Sequence, residues 1–145
     1  MNPTISIVDD DQYLCEILKT SFKKRIPDAN VNAFTDYLDF LNNYKKNKQD
    51  IVILDYDLGN ATAFDLVQYI EVINPNVTIF IISGYFEHEG EFCIPKPFDI
   101  NDLPIKIMKK QEEYKDDNIK KKMMLDAILL FIDSRIKNRQ LKQSC

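Results

Sequence analysis

The chain is short of the residues that build zinc and sulfur sites. It has one histidine, His88, which stands alone among acids, so a histidine triad or a zinc centre lacks its ligands. Its three cysteines, Cys15, Cys93 and Cys145, are odd in number and scattered. They have no metal-ligand spacing and fit a reducing cytoplasm. No apolar run approaches the ~18 residues of a membrane span. The first residues lack the basic-then-apolar order of a signal peptide, because an acid triplet follows the first apolar run directly. Repeats and low-complexity segments are missing as well. What remains is ordinary for a soluble globular protein: 145 residues, 45% hydrophobic and 29% charged, enough for one domain with a real core.

What is present is arranged around Asp50 to Gly59, DIVILDYDLG. Ile51 to Leu54 form a short apolar run that ends in Asp55, with a glycine soon after, which reads as a buried central strand. In open parallel sheets, ligands bind at the carboxyl ends of strands, so Asp55 is placed to react or to hold a metal. It is not needed as a helix cap, since the next helix begins near Thr62. Three other stretches repeat the design. Ile5 to Val8 lead into Asp9, Asp10 and Asp11. Val77 to Ile82 end in Ser83-Gly84, and Phe92 to Ile94 end in Pro95-Lys96-Pro97-Phe98.

Helical spacing fills the gaps between these strands. Leu14, Ile17, Leu18 and Phe22 recur on one face and predict a helix from about Gln12 to Lys24, broken by Pro27-Asp28. Val31 and Ala33 alternate with asparagine, as in a half-exposed edge strand. Thr35 and Asp36 offer cap oxygens for a second helix, with Tyr37, Leu38, Leu41 and Tyr44 expected inward. Phe64, Val67, Ile70 and Ile73 mark a third helix, stopped at Asn74-Pro75. The alternation predicts an α/β fold of flavodoxin-like type, three-layered α/β/α, with five parallel strands in the order 2-1-3-4-5 and an additional C-terminal helix. Strands one and three then meet at the switch point and bring Asp9, Asp10 and Asp55 side by side.

An acid cluster, a lone Asp, a hydroxyl and a Lys-Pro, each after an apolar strand and in that order, resemble the receiver domain of two-component response regulators. Taken singly, each has a plain structural reading: a helix-terminus acid cluster, a turn serine, a surface lysine. Four such accidents at four strand ends do not make a coherent alternative. The resemblance covers residues 3 to 114, and a receiver domain is expected over 1–114. It implies that Asp55 is the phosphoacceptor, taking a phosphoryl group from a histidine kinase or phosphotransfer protein. It also implies Mg2+ held by Asp10 and Asp55, by Asp9 through water, and by the backbone carbonyl of Asp57. Three adjacent carboxylates repel one another, and a hard divalent cation removes that penalty. Ser83 and Lys96 would bind the phosphoryl oxygens, and Lys96-Pro97 resembles the family's cis peptide. The family signals by conformational change to an output protein and is not enzymatic beyond self-dephosphorylation.

Two features depart from the pattern. Gly84 to Glu91 leave too little room for the helix that receivers carry between strands four and five. Counting back from Lys96, the family's aromatic switch position falls on Cys93, with Phe92 one step off. The second departure is the tail, beyond a boundary near Lys115 to Asn118. Met123 to Ile132 are apolar at nine of ten positions, too short for a bilayer and too apolar all round for a lone surface helix. A helix over 119–141 is expected, within an extension of 115–145. Ile119, Met123, Ala127, Leu130 and Phe131 are expected to be buried against the flank bared by the missing helix, or against a second copy in a homodimer.

Charge divides the same way. Residues 106 to 142 hold 11 of the 19 Lys and Arg but only 6 of the 23 Asp and Glu, so a basic tail follows an acidic body. Membrane and nucleic-acid contacts are the weaker readings of that tail. Two rival functions stand beside the phospho-acceptor. DYDLGN resembles the nucleophile motif of haloacid-dehalogenase-type phosphatases, small Mg2+-dependent enzymes that also use a phospho-aspartate. There, however, the motif follows the first strand and the acidic pair comes after the lysine. The other rival is a receiver that is never phosphorylated and serves only as a protein-interaction module.

Overall fold

A computed structural model of the chain describes residues 2–85, 92–113 and 117–143. Strands β1 (Thr4–Val8), β2 (Asn30–Phe34), β3 (Ile51–Asp55), β4 (Thr78–Ser83) and β5 (Cys93–Pro95) alternate with helices α1 (Gln12–Arg25), α2 (Tyr37–Lys46) and α3 (Ala63–Ile73). Helices α4 (Leu103–Glu113) and α5 (Asp117–Gln143) complete the chain. All strand pairs are parallel, in the order β2-β1-β3-β4-β5, so the expected fold is the observed one. β3 is buried along its whole length, as its unbroken apolar run requires of a strand covered on both faces. Ile7 pairs with Ile53 and Val8 with Leu54. The next residue of each strand line, Asp9 and Asp55, therefore emerges at the same edge of the sheet.

Local chemistry sets the helix starts. Asp11 accepts the Leu14 amide at 3.2 Å and Asp36 accepts the Leu38 amide at 2.8 Å, each satisfying a donor that the first turn leaves unpaired. Asp65 reaches back to the Thr62 amide at 2.9 Å and fixes the start of α3. In α2 the buried residues are Phe40 and Tyr44, with Tyr37 and Leu41 partly buried, while Leu38 is exposed. The face that presents Phe40 and Tyr44 on successive turns wins, and Leu38 lies about 160° away from Phe40 around the helix.

α5 is a 27-residue helix with one face on the body of the molecule. Met124, Ala127, Phe131 and Ser134 are buried. Phe131 stacks on Tyr56 with ring centroids 5.5 Å apart and planes within 11°. Arg135 lies over the Phe64 ring at 5.4 Å and 3.8 Å from Asp65, both on α3. Val67, Ile79, Ile81 and Phe92 line one small space together with Met124 and Ala127, so α5 covers apolar surface of α3 and β4. The buried face is not quite the expected one. Ala127 and Phe131 are inward, but Leu130 is 41% exposed, Met123 is only partly buried, and Met124 and Ser134 take the inner positions. Ile119 lies outside the residues whose side chains are described. No described helix stands between β4 and β5. Residues 86–91 lie outside the described residues, and so do His88 and the expected loss of the helix there.

Candidate functional site

The strand ends converge on four charged groups. Asp9 directly follows β1, Asp10 is next to it, Asp55 ends β3, and Lys96 directly follows β5. One carboxylate oxygen from each of Asp9, Asp10 and Asp55 lies within 4.8 Å of the others. Asp9 and Asp55 are buried and Asp10 is exposed, so the group opens to solvent on one side. The Lys96 ammonium meets Asp55 Oδ1 at 2.6 Å. Its backbone is held in turn, because the Lys96 amide donates to the Ser83 carbonyl at 2.8 Å. The Lys96–Pro97 peptide is cis, as the resemblance implied.

Each carboxylate has its own environment. Asp9 Oδ1 accepts the Asp11 amide at 2.9 Å, while Asp9 Oδ2 is buried without a hydrogen-bond partner. An unmatched buried acceptor is costly. Burial, with the charges of Asp55 and Asp10 adding to it, pushes the Asp9 carboxyl up to about 6, against the pull of the Asp11 amide and Lys96. Burial also raises Asp55, and the hydrogen bond and charge of Lys96 work against that rise. For Lys96, partial burial acts downward, but the hydrogen bond and charge of Asp55 outweigh it and the ammonium is raised. The pairing therefore favours the charged lysine, whereas on Asp55 it only offsets part of the rise that burial imposes.

Asp57 stands apart from the cluster. Its side chain is exposed and accepts the Gly59 amide at 3.1 Å, which closes the turn after β3. Gly59 has φ 82°, a left-handed conformation that suits glycine. Ser83 is buried at the end of β4, and its hydroxyl oxygen accepts the Tyr85 amide at 3.0 Å. Cys93, at the position expected to carry an aromatic switch, is a buried thiol. Phe92 is buried and packs against Phe80 at 5.7 Å.

Sequence reasoning missed an aromatic group beside the acids. Tyr56, next after Asp55, meets Tyr85 edge-on at 5.4 Å and stacks on Phe131 of α5. Its hydroxyl is raised by burial. The available signal was a tyrosine just past the ends of two adjacent strands. It also missed Cys15, whose thiol donates to the Asp9 carbonyl at 3.2 Å and is pushed up to about 11 by burial, with the Asp9 charge adding to it.

The response regulator receiver domain family matches residues 5–108, most of the chain. This chain belongs to that family. The match ends within α4, and α5 lies beyond it. Among solved structures, the receiver is similar to a CheY-like receiver domain protein from Methanospirillum hungatei JF-1, with a TM-score of 0.68 at 20% identity over 78% of this chain and 96% of that one. It also resembles the receiver domain of the Francisella response regulator 1452, at 0.67 and 21% over 79% and 100% of the two chains. The BeF3-activated DrrB receiver domain matches at 0.65 and 21% over 77% and 99%. At these identities the likeness is one of fold. No curated protein matches the receiver.

Proposed function

We propose that this receiver is a phospho-acceptor in two-component signalling, with Asp55 as the nucleophile. One carboxylate oxygen of Asp55 attacks the phosphorus of a phosphohistidine on a kinase or phosphotransfer protein. The P–O bond forms as the P–N bond breaks, and the imidazole leaves with the electron pair. The observation that carries the reading is the meeting of three carboxylates and one ammonium at the carboxyl ends of β1, β3 and β5. Phosphoryl transfer needs positioning and charge stabilisation more than covalent help, and these residues supply both. Lys96 already lies against Asp55 Oδ1 and is positioned to follow the phosphoryl oxygens. Ser83, at the end of the neighbouring strand, is the hydroxyl donor to the same group.

The donor set fits Mg2+. It consists of hard oxygens alone, and Asp9 Oδ2 is buried and unmatched. Asp10 and Asp55 would bind the ion directly, with Asp9 through water and the carbonyl of Asp57 as the remaining protein ligand. Bound there, Mg2+ supplies charge neutralisation for the incoming phosphoryl group. In this reading residues 1–114 are the receiver and 115–145 its helical extension, acting in the cytoplasm on an output protein. No described helix is long and apolar enough to cross a membrane.

Acetyl phosphate with Mg2+ should label the wild type at Asp55, and Asp55→Asn should remove the label completely. Asp10→Asn should lower the labelling rate by at least ten-fold. Equal labelling of Asp55→Asn and wild type would overturn the assignment. Sustained turnover of a phosphate monoester would point to the phosphatase chemistry instead.

A further inference from the structure

α5 carries a second apolar row that is largely exposed, with only its first residue, Leu125, bordering a groove against Gln68, Glu71 and Val72 of α3. Leu125, Leu129, Ile132 and Ile136 follow steps of four, three and four. At 100° per residue they fall within an arc of about 60°, centred about 150° from the buried face of Met124, Ala127, Phe131 and Ser134. Leu125 is 55% exposed, Leu129 53% and Ile136 49%, with Ile132 partly exposed. Scattered exposed leucines need no explanation, but a row of them along one helix does. The 4-3-4 step is the seam of a two-stranded coil. The helix is already held in place by its inner face, so the nucleation cost that makes a short isolated seam too weak is met in advance.

The flanking charges choose the occupant and its direction. Asp126 and Asp133 flank the seam on one side and Lys121 and Arg135 on the other, while Lys122 continues the row itself three residues before Leu125, a single polar residue in the seam. An acidic edge and a basic edge on one helix complement a second copy running parallel, where opposite edges meet. In an antiparallel pair, like edges would meet. Asp133 and Arg135 are also engaged within the chain, with Lys137 at 3.0 Å and Asp65 at 3.8 Å. Lys121 and Asp126 are five residues apart, the spacing at which a parallel coil joins the two edges across the seam. A membrane surface is a poorer fit, since two aspartates border the apolar row and repel anionic headgroups.

We infer that α5 is a self-association surface: two copies of this chain pair in parallel through Leu125, Leu129, Ile132 and Ile136, with Lys121 of each copy against Asp126 of the other. The two-fold axis runs along the helices. This inference does not depend on the phosphoryl chemistry.

Sedimentation equilibrium of the full chain tests it. The wild type should associate reversibly from 17.0 kDa to twice that mass. Leu129→Glu should sediment as a monomer, with helix content and melting unchanged, because the position is exposed. Lys121→Glu and Asp126→Lys should each weaken the dimer about five-fold, and the double variant should return to near wild-type affinity. A wild type that is monomeric at every concentration overturns the inference, as does a dimer indifferent to Leu129→Glu. Charge variants that strengthen association, or a double variant that fails to rescue it, overturn the parallel pairing. A monomer that co-sediments with phosphatidylserine/phosphatidylcholine vesicles, and loses this with Leu129→Glu, assigns the row to a membrane and overturns it too.

Discussion

Lys96 and Asp55 hold each other ready, and the consequences differ for the two. Removing the lysine leaves Asp55 buried with its charge unmatched, so part of the cost appears as a raised carboxyl. Lys96→Ala should therefore fold, still bind divalent cation, and lose at least ten-fold in phosphorylation rate with acetyl phosphate, which single-turnover labelling would measure. Asp9 gives a pH signature. Its carboxyl in the folded protein stands at about 6 against an ordinary 3.8, so between those values the folded state binds more protons than the unfolded one. The metal-free protein should then lose stability from this group as pH rises from about 4 through 6, the direction opposite to that of a paired carboxylate. Asp9→Asn should flatten that slope in thermal melts. Added Mg2+ should raise the melting temperature more at pH 7 than at pH 5, because at the lower pH it must displace a proton.

At the scale of elements, α5 is the part whose presence was plain and whose orientation was not. Nine apolar residues in ten between Met123 and Ile132 demand burial. A helix that apolar all round has no single periodicity to show which arc turns inward. The expected Leu130 is exposed for this reason, and Met124 and Ser134 replace it. α2 posed the same difficulty on a smaller scale, with Leu38 outward and Phe40 inward. The strands were easier to read, because each short apolar run ends in a charge or a hydroxyl where the sheet ends. Phe131 is 1% exposed and stacked on Tyr56. Phe131→Ala should cost about 3 kcal/mol in urea unfolding, as for other buried aromatics cut to alanine. Leu130→Ala should cost less than about 1 kcal/mol. Equal costs would mean that the helix lies in a different rotation.

Across the whole molecule, the order of the sheet and the meeting of Asp9, Asp10 and Asp55 followed from chain order alone. The topological switch between β1 and β3 admits one arrangement of those ends. The contact of Tyr56 with Tyr85 and Phe131 did not follow, since it depends on where two loops and a terminal helix settle. That contact joins the receiver to its extension. Deleting residues 116–145 should bare the apolar surface of α3 and β4 and lower the melting temperature by several degrees or cause aggregation, read by calorimetry and light scattering. A truncated chain that is equally stable and soluble would separate α5 from the stability of the receiver.

The three residues of chain between α4 and α5 have one further consequence. A helix tethered that closely rebinds its own flank at an effective concentration of order millimolar. A separate protein seeking the same surface of α3 and β4 enters a competition it meets at every encounter. Its apparent affinity falls in proportion to the fraction of time the flank is bare. A protein that used this flank would therefore gain a hold only by binding it more strongly than α5 does.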